Sequence, residues 1–381
     1  MNKKVILRER DRERPELRFK GFEKKYEKSL IKDACSITTG KSNTQDQVDD
    51  GEYPFFIRSD TPVRSNRYLF DEEAVITIGD GNIGKVFHYI KGKFDLHQRC
   101  YKMSNFNNVS AIYFYYVFSK NFYERAMTMT AKATVDSVRL EMISDMEMML
   151  PSSIKEQQKI GEFFKNLDQL IKSNQNKLDK LKDIKNGLLD RMLPRLGNDI
   201  PELRFSGYSK NWNLKKLNDI LNIFSGEFVH SKYQNDIYDF PVYNGACTYT
   251  GFYKYFNQNG CKIVMSSRGI NAGFVILENN KFWAGNSAFS MNVNSGHITS
   301  FVYFYLKSKY TEIQELINNS AIPAILLNDI LRFQIYIPTK EEQQKIANFF
   351  IQLDNLISLQ SKKVQKLKDI KNGYLNKMFV N

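Results

Sequence analysis

Gly79-Asp80-Gly81-Asn82-Ile83-Gly84 has the GxGxxG spacing with which a backbone turn cradles a pyrophosphate at the start of a helix. The residues that follow, Lys85-Val86-Phe87-His88-Tyr89-Ile90, read as a strand, so the helix such chemistry needs is missing. The stretch predicts a glycine-rich hairpin turn, whose backbone can approach a ligand closely. Its counterpart further along, Ser266 to Gly273, lacks the spacing altogether. His97 stands two residues from Asp95, as an acid–base pair on one strand face would, yet no nucleophile is defined beside them. A structural or nucleic-acid contact is the expectation there. Cys35, Cys100, Cys247 and Cys261 show neither CxxC pairs nor clustered histidines, so no zinc site and no disulfide frame is expected. With no P-loop and no acidic cluster for metal-dependent cleavage, the chain reads as non-catalytic, without a metal of its own.

Other residues suit recognition better than catalysis. Arg58, Ser59, Asp60, Asn82, His97, Gln98 and Arg99 sit in polar loops between apolar runs of the first half. Asn244, Tyr253, Ser267, Arg268, Asn271 and Asn286 do so in the second. Arg, Asn and Gln make bidentate hydrogen bonds to guanine or adenine edges, while Lys and Arg neutralise phosphates. These are candidate DNA-binding residues. An ordinary solvated loop explains any one of them equally well.

The elements that must position them occur twice. Glu156–Leu193 and Glu342–Phe379 align without gaps and agree at about 22 of 38 positions. Each opens with the spacing of a reciprocal capping box, Ser153 with Glu156 and Thr339 with Glu342. Each then carries one narrow apolar seam: Phe164, Leu167, Ile171, Leu178, Leu181, Leu188 and Met192, repeated as Phe350, Leu353, Ile357, Val364, Leu367, Tyr374 and Met378. A stripe so narrow asks for a partner helix, and two such helices in one chain predict a mutual pairing. Asn174 and Lys185, and again Gln360 and Lys371, interrupt the seam and can fix its register. Phe163 and Phe349 lie about 100° off the seam, which points to packing on the adjoining domain or to a partner protein. Gly187 and Gly373 cost roughly 1 kcal/mol inside a helix, and their recurrence predicts close helix approach or a partner contact.

The repeat extends beyond the helices. Pro15-Glu16-Leu17-Arg18-Phe19 recurs as Pro201-Glu202-Leu203-Arg204-Phe205, and Tyr26, Asp33 and Gly40 align with Trp212, Asp219 and Gly226. The chain thus reads as two half-molecules, residues 15–193 and 201–381, joined by a breaker from Pro194 to Ile200. Between the matched ends, Ala74–Ile78 and Lys262–Met265 read as strands, and Ile112–Met127 and Phe301–Ile317 as aromatic helices. The fold class expected is α+β: two similar domains separated by an antiparallel coiled coil of two long helices, a pseudo-two-fold internal repeat. The boundaries are 1–150 and 196–337 for the two domains, 151–195 and 338–381 for the helices.

A chain of 381 residues with 42% apolar and 13% aromatic residues can bury a core in each domain. Its formal net charge of +13 raises the odds of an acidic partner or nucleic acid without settling them. No apolar run spans a bilayer and the charged N-terminus lacks a signal-peptide core, so a cytoplasmic protein with reduced thiols and no membrane partner is expected.

The duplicated EQQKI(G/A)xFFxxLDxLI motif, running on into KLKDIKNGxL, resembles the specificity (S) subunit of type I restriction-modification enzymes. PELRFKGF, PELRFSGY and the stretches YPFFIRSD and FDLHQR are similar to that family as well, and the resemblance covers essentially the whole chain. It implies that each variable domain is a target recognition domain reading one half of a split double-stranded DNA site. It also implies that the helices form a spacer (Leu167, Ile171, Leu178, Leu181, Leu188 with Leu353, Ile357, Val364, Leu367, Tyr374) and dock two methyltransferase (M) subunits. Phe163, Phe349, Gly187 and Gly373 are the candidate partner contacts, and restriction (R) subunits join through the M–S complex. No cofactor is expected on this chain; S-adenosylmethionine, ATP and Mg belong to the partner subunits of a bacterial or archaeal system. No PPY or PPF dipeptide marks an amino-methyltransferase here. The rival readings are a self-sufficient modification or restriction enzyme and a coiled-coil scaffold without DNA function.

Overall fold

A computed structural model describes residues 13–130, 137–195, 197–318 and 322–380; most of the charged N-terminal stretch lies outside them. The chain divides into two compact units, residues 1–175 with 362–381, and residues 176–361.

The first unit is built on a six-stranded sheet in the order Ser36–Thr39, Cys100–Ser104, Phe70–Ile78, Phe87–Leu96, Tyr53–Phe56, Val63–Ser65. Its central strand ends in five consecutive buried residues, Ala74 to Ile78, because both faces are covered. Val75 joins the main core under the helix Ala111–Thr130, whereas Ala74, Ile76 and Ile78 pack with Phe56, Phe94 and Leu96. That helix runs slightly past the expected Ile112–Met127 and presents Tyr113, Phe114, Phe118 and Phe122 to the core. The Gly79–Gly84 segment is the turn between two antiparallel strands, as the sequence predicts.

The second unit repeats the plan with a split sheet. Leu221–Ser225, Ala288–Val293, Lys262–Ser266 and Val275–Glu278 form four strands; Gly251–Tyr253, Phe240–Tyr243 and Trp283–Ala284 form three. The single helix expected over Phe301–Ile317 is broken here. Thr299–Ser308 ends where Lys309 leaves helical geometry (φ −101°, ψ 23°), a second helix covers Tyr310–Gln314, and Ile317–Asn318 is a strand paired with Ala324–Ile325. Gly40 and Gly226 serve one purpose in both units. A Cβ would fall 1.9 Å from the Leu96 carbonyl oxygen in one and 2.0 Å from that of Gly285 in the other.

The long helices span Ile154–Met192 and Lys340–Met378. Their starts correct the capping-box expectation. Thr339 Oγ1 does accept from the Glu342 N–H at 3.4 Å, but the glutamate does not reach back to the cap. Glu156 and Glu342, each 1% exposed, instead receive the guanidinium forks of Arg18 and Arg204 from the two PELRF segments. A carboxylate in the first helical turn also complements the helix dipole. The next residue is equally occupied: Gln157 Nε2 donates to Pro151 O at 2.8 Å while its Oε1 accepts from Ser110 N at 2.9 Å. Gln343 repeats this with Pro338 O at 2.9 Å and Ile298 N at 3.0 Å.

Within each unit the start of one helix lies antiparallel to the end of the other. In the first unit Phe163 meets Tyr374 edge-on at 5.1 Å, and Lys371 Nζ donates to Asp168 Oδ1 at 2.5 Å. In the second, Lys185 is ion-paired with Asp354, and Leu189 and Met192 join a core with Phe350 and Leu353. Leu178, Val364 and Leu353 are buried; Leu167, Ile171, Leu181, Leu188, Ile357, Leu367 and Tyr374 are half-buried. The lysines that interrupt the seam are thus matched by an aspartate of the other helix.

Gly187 and Gly373 contradict the expected close helix approach, since nothing lies within 4 Å of a Cβ built on either. Phe163 and Phe349 pack inward on their own units, at 5.9 and 5.8 Å from the rings of Phe19 and Phe205.

Candidate nucleic-acid interface

Three loops converge at one end of the first unit's sheet. Asp80, in the glycine-rich turn, accepts from Arg58 Nη1 at 3.2 Å on both oxygens and from Arg99 Nη1 at 2.7 Å on Oδ2. Partial burial by itself raises the Asp80 pKa, but the hydrogen bonds of Arg99 and Arg58 outweigh it and hold the carboxyl below its usual value. Both guanidinium groups stay 45–63% exposed, so their remaining donors face outward. Asn82 is exposed in the same turn.

His97 is buried at this end and accepts from Arg99 N through Nδ1 at 3.1 Å. Burial, then the charge of Arg58, lowers its pKa and favours the neutral ring. It does not pair with Asp95. That carboxylate accepts from Ser42 Oγ at 2.5 Å and lies 3.5 Å from Arg67 Nε, which anchors a neighbouring loop. Gln98 donates to Asn43 Oδ1 at 2.5 Å on the exposed side. Ser59 is held locally, its half-exposed hydroxyl donating to Thr61 O at 2.6 Å and its carbonyl facing His88 Nε2 at 3.2 Å. Asp60 stands one residue beyond it in an exposed bend.

Equivalent loops meet in the second unit. The backbone fixes the correspondence: Gly79 N donates to Arg99 O at 2.8 Å, as Ser267 N does to Ser287 O at 2.9 Å. Val138 N reaches Gly79 O at 2.7 Å, as Ile325 N reaches Ser267 O at 2.9 Å. Pairing of Phe56 with Leu96 and of Tyr243 with Ala284 aligns the third loop. The places of Arg58, Asp80 and Arg99 are therefore taken by Gly245, Arg268 and Ser287. Arg268 is exposed and carries no carboxylate clamp among the described contacts. Asn271 Nδ2 donates to Gly245 O at 3.3 Å, Asn244 Oδ1 accepts from Ser287 N at 3.0 Å, and Asn286 is exposed beside them. Ser267 is buried and serves through its backbone. Tyr253 stands apart, on the strand Gly251–Tyr253, edge-on to Trp283 at 5.1 Å.

Sequence reasoning missed Asp80, the group that gathers two of its candidates. The signal was present: it is the one acidic residue in a turn flanked by glycines. It also missed the outer faces of the helices. Leu170 is 46% exposed and Ile370 37% in the first unit; their repeat counterparts Leu356 and Ile184 are 54% and 44% exposed in the second.

A family model described as the type I restriction modification DNA specificity domain matches the chain twice, over residues 23–183 and 209–369. The chain belongs to that family. Each match takes in one of the loop clusters described above and most of one long helix. The type I restriction enzyme MjaIX specificity subunit of Methanocaldococcus jannaschii is 23% identical over 308 residues, 71% of this chain and 69% of that one. The EcoDI specificity subunit of Escherichia coli is 27% identical over 149 residues, 39% of this chain and 32% of its own. In fold, the crystal structure of the type I restriction-modification S subunit from M. genitalium matches with a TM-score of 0.72 at 17% identity, over 97% of this chain and 99% of that one. The specificity-subunit reading of the repeats therefore stands, as does the fold class of two domains with helical connections. Among the described residues no helix is long and apolar enough to cross a membrane.

Proposed function

We propose that this chain is the non-catalytic DNA-reading subunit of a type I restriction-modification complex, acting in a bacterial or archaeal cytoplasm. Each unit reads one half of an asymmetric bipartite site. The observation that carries this is the pair of equivalent loop clusters with unlike chemistry: Arg58, Asp80 and Arg99 in one, Gly245, Arg268 and Ser287 in the other. A common frame with different donors suits two half-sites of different sequence. Arg58, Asn82, Gln98 and Arg99, with Asn244, Arg268, Asn271 and Asn286, are the proposed contacts to bases and phosphates.

The long helices set the gap between half-sites. Each is 39 residues, roughly 58 Å at 1.5 Å per residue. Adding four residues to each, about 6 Å, lengthens the unread gap by about two base pairs. The helices also seat two methyltransferase subunits, which bring S-adenosylmethionine; restriction subunits with ATP and Mg join through them. Exposed Leu170, Ile370 and Gly373 in the first unit, and Leu356, Ile184 and Gly187 in the second, offer one patch for each copy. Phe163 and Phe349, half-buried against Phe19 and Phe205, lie two helical turns before Leu170 and Leu356. Methylome sequencing of cells expressing this chain with its M partner tests the reading: a two-part motif that keeps its halves and widens its gap in the lengthened variant supports it, and an unchanged gap defeats the spacer role.

A further inference from the structure

Tyr253 belongs to a second feature of the second unit. A cleft of about 310 Å³ opens beside the three-stranded sheet, walled by Tyr233, Tyr238, Tyr253 and Tyr255 and rimmed by Lys232 and Lys254. Gln234 and Asn235 complete the lining, and no carboxylate takes part in it. Such a volume is at the small end of ligand clefts, roughly 300–1,000 Å³. Each lysine lies over a ring of the same cleft, Lys232 at 4.9 Å from the Tyr233 centroid and Lys254 at 4.7 Å from that of Tyr255. Tyr233 and Tyr255 are 56% and 55% exposed, so much of each ring is left uncovered.

The same place is closed in the first unit. Tyr53 pairs with Ser65 as Phe240 pairs with Tyr253, so Arg67 holds the position of Tyr255. The short 3-10 turns Thr44–Asp46 and Ser231–Tyr233 put Asp46 where the second unit has Tyr233. Arg67 and Asp46 are ion-paired at 2.7 Å, and Arg67 Nη2 also donates to Ser42 Oγ at 2.9 Å. An arginine–carboxylate bridge thus fills in one unit the gap that aromatic rings leave open in the other.

We propose that this cleft is a second, sequence-independent DNA contact carried by the second recognition domain alone. Its lysines take backbone phosphates and its tyrosine rings take a sugar or base face. The inference rests on the DNA-reading function proposed above. Every base offers a π-face, and a phosphate carries no sequence information, so such a contact adds affinity without choosing bases. Its position fits one continuous duplex. Phe240, paired across the sheet with Tyr253, is four residues from Asn244 in the reading loops, roughly 13 Å along a strand or about four base pairs.

The test uses the chain assembled with its methyltransferase partner, as wild type, K232A/K254A and Tyr233→Ala/Tyr255→Ala. All four side chains are exposed, so both variants should melt with the wild type. DNA affinity is measured across a salt series, and the methylated motif is sequenced. The lysine variant should bind about tenfold more weakly, with a log–log salt slope shallower by about two. The tyrosine variant should lose affinity with the slope unchanged, and both should keep the wild-type motif. Unaltered affinity and slope in both variants would overturn the proposal, as would a changed motif, which would make the cleft a base reader. A wild-type complex that fails to bind DNA overturns the recognition reading and this cleft with it.

Discussion

Arg18 donates from Nε and Nη2 to Oε1 and Oε2 of Glu156 at 2.7 and 2.8 Å, and Arg204 does the same to Glu342 at 2.7 and 2.8 Å, each pair 138 residues apart. A planar fork meets a carboxylate that is 1% exposed, so each half-molecule ties its opening segment to the first turn of its long helix. Removing one partner leaves the other desolvated and unpaired. Arg18→Ala should therefore cost about 3 kcal/mol in denaturant unfolding. Arg18→Lys should recover little, because an ammonium cannot bond both oxygens in the same plane. A loss below about 0.5 kcal/mol for Arg18→Ala would show that the pair is incidental.

Two kinds of glycine should respond in opposite directions. Gly40→Ala drives a methyl into a backbone oxygen 1.9 Å away, with a sheet behind it that cannot move alone. A loss of about 2–3 kcal/mol, or insoluble protein, is expected. Gly187→Ala meets open space and should stabilise the free chain by roughly 1 kcal/mol. If Gly187 lies under a methyltransferase subunit, that variant will melt later yet assemble less well. Thermal melting and a pull-down on the same preparation read both effects.

Asp80 draws Arg58 and Arg99 together through its two carboxylate oxygens. Asp80→Asn removes the charge that aligns them, and the fold should survive because the turn's backbone bonds remain. The first half of the methylated motif should become degenerate by about tenfold in preference, the order of one bidentate base contact. The second half should stay intact. Loss of both halves would place Asp80 in the framework of the fold.

Acid should weaken the first unit through its histidines. Burial lowers the pKa of His88 below the usual 6.5, with partial relief from Ser59 O, and burial followed by Arg58 lowers that of His97. The unfolded chain then takes up these protons at higher pH than the folded one. Stability is accordingly complete above the unfolded value and falls as pH drops through 6.5. Melting temperature should be flat from pH 8 to 7, decline below about 6.5, and decline less in His88→Gln.

The repeats made the architecture legible. Agreement at about 22 of 38 positions between the two helical stretches announced a shared frame, and the narrow apolar stripe announced the seam. The Glu156 environment was not legible, because a glutamate three residues into a helix has the same spacing whether it caps its own backbone or receives an arginine from 138 residues away. Of the two expectations for Gly187, close helix approach fails and a partner contact remains, because a glycine in a helix looks the same in sequence when pressed against a neighbour and when left open. The break at Lys309 falls in the polar stretch Lys307-Ser308-Lys309, which carries neither glycine nor proline to mark a helix end. Arg58 and Arg99 were singled out by residue type, but their convergence on Asp80 is a property of the strand pairing that brings three separate loops together. Tyr253 was expected in a polar loop, whereas it ends the edge strand Gly251–Tyr253, away from the other candidates of its unit.

The most direct test exchanges residues 41–135 for the corresponding stretch of a relative with a different target, and sequences the methylome of cells that also express the M partner. The account predicts a motif in which one half changes while the other half and the gap are kept. A motif altered in both halves, or in neither, would contradict the assignment of one half-site to each unit.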